Sequence, residues 1–490
     1  MQSKRDQVQA HLFVTGRLAT GLLRGEPDAP DTPTGRTSRG TATGLAVALL
    51  AALVAGLYGV IVPGGATAWK RPGTLVVVKE NGARYLYLDG RLHPVLNEAS
   101  ARLLAGDRFT VDRVGAKSLA GTPRGTPVGI PGAPDDLPAP TALTAGASWY
   151  ACAVAGPGPA ARTPELALAV TPDRPGDHLT DTQGVLVAAP DGTEHLLWHG
   201  RRLRLDTRNG ARQALGRADI TARPVTAPFL NALPTGPDLA APDITDRGRP
   251  GPLLAARPTT VGQLFTGPSG DPYVLTSGGL APLTRMTYEL LRNDPRTQRA
   301  AYGGAAVLPG ILGPADLAAH TAPAPSAADR TAATATADLP AAPPELLEIA
   351  PGRAVCADLR PTGQAPTTSV ALVDAAAVTG LPPAVPPGTV PGCATADSVA
   401  VRPGSGALVR ALSGAGAGTT LYLVTDTGAK HPLASPATAE RLGYGAVTPV
   451  AVPETFLGLL PTGPVLDAAV FTGPAGTGPA TSAPGPACPR

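Results

Sequence analysis

Several groups of residues in this 490-residue chain have types or spacings that chemistry can use. Gly115-Ala-Lys-Ser118 is the fragment nearest to a phosphate-binding loop, in which backbone N–H groups and a lysine cradle a nucleotide. Ala116 stands where that motif needs its second glycine, and the glycine five residues earlier is missing. Gly414-Ala-Gly-Ala-Gly418 precedes a strand-like run instead of opening a helix, so it reads as a flexible loop. His195 and His199 have the H-x-x-x-H spacing that suits a metal ion on a helix, but they flank the strand-like Leu196-Leu197-Trp198. Four strand residues extend about 13 Å, too far for two imidazoles to share one ion. Ser269, in Gly267-Pro-Ser-Gly270, is a turn residue and not a nucleophile elbow. Asp135-Asp136 falls in a proline-rich loop, and none of the seven histidines has a nucleophile or carboxylate arranged beside it in sequence. The expectation is no catalytic residue, no metal site and no cofactor.

Cysteine is the remaining reactive type. Cys152, Cys356, Cys393 and Cys488 all follow an apolar segment near the N-terminus, and none precedes it. An even count confined to one side points to an oxidising compartment on that side.

The elements that must position these residues begin with that segment. Thr41–Val62 holds 22 residues, 17 of them apolar, and no charge falls between Arg39 and Lys70. As a helix it would reach about 33 Å, enough to cross a hydrocarbon core. Pro63-Gly64-Gly65 would stop it. Ala66-Thr67-Ala68 looks like a signal cleavage site, but the run is longer than a signal core and follows a 40-residue arm, which favours a retained anchor. The flanking charges tie: Arg24, Arg36 and Arg39 face Lys70, Arg71 and Lys79. Cysteine placement then puts the N-terminus in the cytoplasm and the bulk of the chain outside. Within the arm (1–40), Val8, Leu12, Leu18 and Leu22 recur near helical spacing, with Ser3 as cap and Arg24-Gly25 as stop. Such a helix would dock a partner or lie on lipid, and Asp28–Pro33 would be a loop. The charge balance, 40 basic against 37 acidic residues, argues against nucleic acid as a partner.

Beyond the membrane one plan recurs. Leu75–Leu88 is a hairpin about Asn81-Gly82, followed by a helix-like Asn97–Leu104. Further hairpins turn at Asp191-Gly192, Ser269-Gly270 and Thr427-Gly428, followed by helix-like Asn209–Leu215, Met286–Leu291 and Ala437–Leu442. Phe229-Leu-Asn-Ala-Leu-Pro-Thr-Gly-Pro-Asp-Leu239 echoes Phe456-Leu-Gly-Leu-Leu-Pro-Thr-Gly-Pro-Val-Leu466, which suggests duplication. The resulting fold class is α+β: a cytoplasmic helix, one transmembrane helix, and four hairpin/helix modules set into a larger extracytoplasmic body. The expected divisions are the arm, the span (41–62), a first module (63–120), the first half of the central domain (121–183), and second and third modules (184–255, 256–320). An Ala/Pro/Thr linker (321–344), the second central half (345–416), a fourth module (417–470) and a Gly/Pro-rich tail (471–490) follow.

Taken together, Ser3-Lys-Arg-Asp-Gln-Val-Gln-Ala-His11, the lone span, Tyr85-Leu-Tyr-Leu, His93-Pro94-Val95, Val128–Asp135, Trp149-Tyr-Ala-Cys152 and Val355-Cys356 resemble the EccB family. EccB is the single-pass membrane subunit of actinobacterial type VII (ESX) secretion systems, and the resemblance runs from Ser3 to about Asp467. It implies that the extracytoplasmic part is elongated, with a β-rich central domain, and that the chain has a structural and assembly role in a secretion complex. The implied partners are an FtsK/SpoIIIE-type ATPase (EccC), EccD, EccE and further copies of itself. It implies a disulfide between Cys152 and Cys356, with Cys393 and Cys488 as a possible second pair; swapped pairings and free thiols stay open. Some members are described as ATPases, so ATP enters by resemblance alone. Alternatives are a membrane-anchored cell-wall-binding protein and an extracytoplasmic ATPase.

Overall fold

The computed structural model describes residues 4–25, 33–61, 67–143, 147–156, 164–171, 173, 175–217, 219–323, 338–361, 366–383, 385–392, 394–413 and 416–471. The fold is mixed α+β, with several β-sheets and one candidate membrane helix near the N-terminus. The chain divides into two compact units, Met1–Leu92 with Val111–Pro123, and His93–Thr110 with Arg124–Arg490.

In the first unit, α1 spans Lys4–Arg24 and α2 spans Pro33–Ile61. α2 begins before the expected Thr41, since Pro33 suits a first helical turn and no residue after it breaks the helix. Within it, the hydroxyls of Thr41 and Thr43 donate to the carbonyls of Thr37 and Arg39 at 2.8 and 2.7 Å, which hides their polarity. The apolar stretch is Thr37–Tyr58, and none of its length is covered by protein. A helix apolar on every side is at home in lipid.

The first sheet contains β1 (Thr74–Val78), β2 (Arg84–Leu88), β3 (Arg91–Pro94) and β4 (Thr110–Val114), in the order β3-β2-β1-β4. Asn81-Gly82 makes the turn as expected: Gly82 has φ +70°, and Asn81 Oδ1 accepts the Ala83 N–H at 3.0 Å. Buried Trp69, Val76, Leu92 and Val114 form its core, with Tyr87 edge-on to Trp69 at 5.4 Å.

In the second unit, α3 (Glu98–Ala105) is capped by Asn97 and packs with the fourth sheet, through a core that includes Leu103, Leu423, Leu433, Leu442 and Tyr444. This helix was expected to close the first module (63–120); it belongs to the other unit. The chain then makes β5 (Ser148–Ala155), β6 (Pro164–Thr171) and β7 (Asp177–His178). A second sheet follows with β8 (Gln183–Ala188), β9 (Glu194–Trp198), β10 (Arg201–Arg204), α4 (Ala211–Ala214) and β11 (Arg223–Pro224), and α5 (Ala227–Asn231) comes after it. A third comprises β12 (Leu264–Thr266), β13 (Pro272–Thr276), β14 (Gly279–Pro282), α6 (Arg285–Arg292), α7 (Pro295–Tyr302), β15 (Gly310–Ile311) and α8 (Pro314–His320). β16 (Glu345–Leu346), β17 (Arg353–Arg360), β18 (Thr367–Asp374), α9 (Ala375–Val378) and β19 (Ser398–Val401) come next. Last are β20 (Gly406–Ser413), β21 (Gly416–Thr425), β22 (Lys430–Leu433), α10 (Pro436–Arg441), β23 (Val450–Pro453) and α11 (Glu454–Leu457).

One strand order serves all four smaller sheets: third, second, first, fourth. The expected hairpin about Thr427-Gly428 forms between β21 and β22, and by that order it is the second–third pair of its sheet, preceded by a β20–β21 hairpin that was not expected. Gly416–Gly418, expected in a flexible loop, starts β21, and β20, expected in the central domain, pairs with it. The larger sheet runs β19-β6-β5-β17-β18-β7. Its two hairpins repeat one register: Cys152 faces Ala167 as Cys356 faces Ala371, with a constant offset of 204 positions.

The Pro-Thr-Gly echo is structural too. Thr235 bridges Arg202 and Leu239 bridges Leu205, while Thr462 bridges Lys430 and Leu466 bridges Leu433. Each segment thus runs along the outer edge of a third strand. Its upstream helix, α5 or α11, buries Phe229, Leu230 and Leu233, or Phe456, Leu457 and Leu460, against one face of the larger sheet.

Candidate functional site

Residues with chemical potential gather at the larger sheet. Cys152 on β5 stands directly opposite Cys356 on β17, and the two are joined by a disulfide. Both are fully buried on the face away from α5 and α11, among Tyr150, Val154, Ala354, Ala371 and Val373. Cys393 and Cys488 lie outside the described residues, as do the tail beyond Phe471 and residues 324–337 of the expected linker.

Two residues along β17 from the disulfide, Asp358 is completely buried and opposite Tyr150. Arg360 donates to its Oδ2 from Nε and Nη2 at 3.2 and 3.0 Å, so the buried charge is paired. Burial, and next the Asp358 charge, push the Tyr150 hydroxyl up to about 12. His178 Nε2 lies 3.1 Å from Arg360 Nη2 and 3.6 Å from Asp358 Oδ2, and His178 Nδ1 lies 3.3 Å from Ser369 Oγ. Serine, histidine and aspartate are therefore together, but the directions are wrong for a hydrolase. Arg360 can only donate, so in its contact with Nη2 the His178 Nε2 is the acceptor, which leaves Nδ1 facing Ser369 as the donor. It cannot take the serine proton in that state. The cluster instead fastens β7 to the edge of β18.

Three further buried polar groups escaped the reading of the sequence. Asp294 caps α7, accepting the Arg296 N–H and Arg247 Nη1 at 2.8 Å each. Burial opposes its charge, yet these bonds and Arg296 hold its carboxyl below the usual range. Lys430 Nζ donates to the carbonyls of Leu457 and Leu460 at 2.7 Å each, and burial pushes its ammonium down to about 8. Neighbouring His431 is pushed down to about 4, again by burial. The available signal was a charged residue inside an apolar run, as in Ala-Val-Cys-Ala-Asp358-Leu.

The other sequence candidates stay apart. Gly115 precedes a short 3₁₀ turn, Ala116–Leu119, and the Glu80 carboxylate accepts the Ala116 N–H at 2.9 Å. A carboxylate thus sits where a phosphate would have to bind. His195 lies in β9 opposite Arg204, whereas His199 is in the following turn with φ +48°. Burial, then Arg202, hold the His195 imidazole below its ordinary value. Ser269 is exposed in its turn, Asp135 and Asp136 are exposed, and no group of three metal-ligating side chains occurs among the described residues.

An apolar anchor carrying a β-rich body braced by a buried disulfide is the build of a membrane-tethered extracytoplasmic scaffold. The family described as "Type VII secretion system ESX-1, transport TM domain B" matches residues 1–471, and the chain belongs to that family, EccB. It is 29% identical to the "ESX-3 secretion system ATPase EccB3" of Mycolicibacterium smegmatis, covering 94% of this chain and 89% of the relative. It is 28% identical to the "ESX-2 secretion system ATPase EccB2" of Mycobacterium tuberculosis, covering 96% and 94%. Among solved structures, a chain of an intact ESX-5 inner membrane complex superposes with a TM-score of 0.63 and 25% identity over 96% of this chain and 95% of that one. A chain of the EccB3 dimer from the ESX-3 core complex gives 0.61 and 26%, over 81% and 98%. The protein is a membrane-anchored type VII secretion subunit whose bulk is extracytoplasmic.

Proposed function

We propose that the protein is a structural and assembly subunit, with α1 in the cytoplasm, α2 as a single membrane crossing, and the second unit with the first sheet outside. The observation carrying this reading is likeness from end to end: nearly the whole chain, anchor included, superposes on a chain taken from an assembled inner membrane complex. By the same likeness its partners are an FtsK/SpoIIIE-type ATPase (EccC), EccD, EccE and a second copy of itself. The larger sheet serves as the central domain, and the four like-ordered sheets serve as the repeat modules. The relatives carry "ATPase" in their names. The Glu80 carboxylate at the nearest phosphate-like fragment favours hydrolysis by a partner instead. Purification from native membranes in mild detergent tests the assembly reading. Co-elution with an FtsK-type ATPase is expected, and a chain that elutes alone would overturn it.

A further inference from the structure

The chain holds only five lysines, and three of them, Lys70, Lys79 and Lys117, lie in the first unit just beyond the anchor. Residues 67–92 and 111–123 carry seven basic and three acidic side chains, whereas 93–110 and 124–490 together carry 27 basic and 30 acidic. Positive charge on the extracytoplasmic side is thus concentrated in this one small sheet and its flanks. Part of it is gathered where the chain comes in. The Lys70 N–H donates to the Thr67 carbonyl, the Thr74 N–H to the Arg71 carbonyl, and the Gly73 N–H to the Tyr87 carbonyl. Lys70 and Arg71 therefore sit at the end of the sheet where β1 starts and β2 finishes, and Arg91 opens β3 at that same end after Asp89-Gly90. All three side chains are exposed, with Arg71 loosely paired to Asp112 at 3.9 Å. From Ile61, the last residue of α2, to Thr67 the chain can stretch about 21 Å at most. That end of the sheet is consequently leashed within reach of the lipid surface.

We propose that this end of the first sheet is a docking surface for the anionic headgroups of the outer leaflet, with Lys70, Arg71 and Arg91 as its contacts. The occupant is a phospholipid surface because the leash holds one beside the patch permanently, so a modest attraction suffices. Each basic group near an anionic surface adds to the attraction, which fades beyond a Debye length. The proposal rests on α2 being a membrane anchor and is independent of the subunit's partners.

The test uses the full chain in nanodiscs, with insertion checked by co-migration with the disc. Val111, half exposed on β4 at the same end of the sheet, is replaced by a photo-crosslinking phenylalanine analogue, and lipid adducts are counted by mass spectrometry. In discs containing phosphatidylglycerol at low salt, adducts should exceed those in phosphatidylcholine discs about fivefold. Raising the salt to 0.5 M, where the Debye length is about 4 Å, should remove most of that excess. The triple change Lys70→Glu, Arg71→Glu, Arg91→Glu should do the same, while the lipid and salt arms need no substitution that could disturb folding. Equal adducts in the two lipids, or none in either, would overturn the proposal. Failure to co-migrate with the disc would refute the anchor instead.

Discussion

His431 and Leu203 hold equivalent places on third strands of two related sheets, each packed under the glycine of a Pro-Thr-Gly segment. One is titratable and the other is not, which supplies a ready-made substitution. An unfolded histidine takes its proton near pH 6.5, but His431 in the fold resists until about 4. Its contribution is therefore intact above pH 6.5 and lost as pH falls toward 4, by on the order of 3 kcal/mol. His431→Leu should flatten this acid limb in unfolding midpoints measured at pH 7 and 4.5; an unchanged limb would show that the loss arises elsewhere. Lys430 acts on the alkaline side. Its folded value of about 8 lies below the ordinary 10.5, so the penalty of burying its charge is present below pH 8 and relieved as pH rises from there. Stability of the fourth sheet should accordingly rise between pH 8 and 10.

At the scale of elements, the Pro-Thr-Gly segment works as an edge strip, and its glycine is dictated by close approach. A Cβ on Gly463 would lie 2.3 Å from the His431 ring, and one on Gly236 would lie 3.1 Å from Leu203. Gly463→Ala should cost about 1–3 kcal/mol, measured as a drop in melting temperature, and Gly236→Ala less. Pairing Gly463→Ala with His431→Ala should recover part of that loss, since the two changes act on one contact. The echo between the segments was legible because identical residues recur, but its partner strand was not, since pairing across a sheet leaves no local mark. The first three hairpins were read correctly from short turns between β-branched runs. In the fourth sheet the hairpin about Thr427-Gly428 was also read correctly, but the β20–β21 pair before it was missed, because Gly414–Gly418 is glycine-rich and resembles a loop, while Thr427-Gly428 one strand along carries the stronger local signal. Asp358 stayed hidden for a similar reason: its Arg360 partner is two residues away, but His178 and Tyr150 come from distant strands.

For the whole molecule, the disulfide closes a loop of 204 positions, with the second and third sheets inside it. The idealised gain for a loop of that size is about 5 kcal/mol. Replacing Cys152 and Cys356 by Ala should lower the melting temperature by several degrees, and non-reducing peptide maps of the parent should yield a Cys152–Cys356 peptide. Absence of that peptide would remove the brace. Deleting residues 1–30 should leave membrane insertion intact, since α2 carries that signal alone. It should weaken co-purification with partners, because Val8, Leu12, Phe13, Leu18 and Leu22 on α1 all remain exposed in the isolated chain. Normal co-purification would strip α1 of its role.

The register of the larger sheet has a consequence for its ancestry. Adding 204 carries the β5–β6 hairpin onto the β17–β18 hairpin residue for residue, and under that operation Cys152 becomes Cys356. Between antiparallel strands related by a two-fold axis, only a residue on the axis can face its own copy. The bond therefore marks the axis. A half-length chain with one hairpin and one module would bring its single cysteine against that of a twin, forming a covalent homodimer. In the present protein that half is written twice along one polypeptide, with the third sheet lodged between the copies.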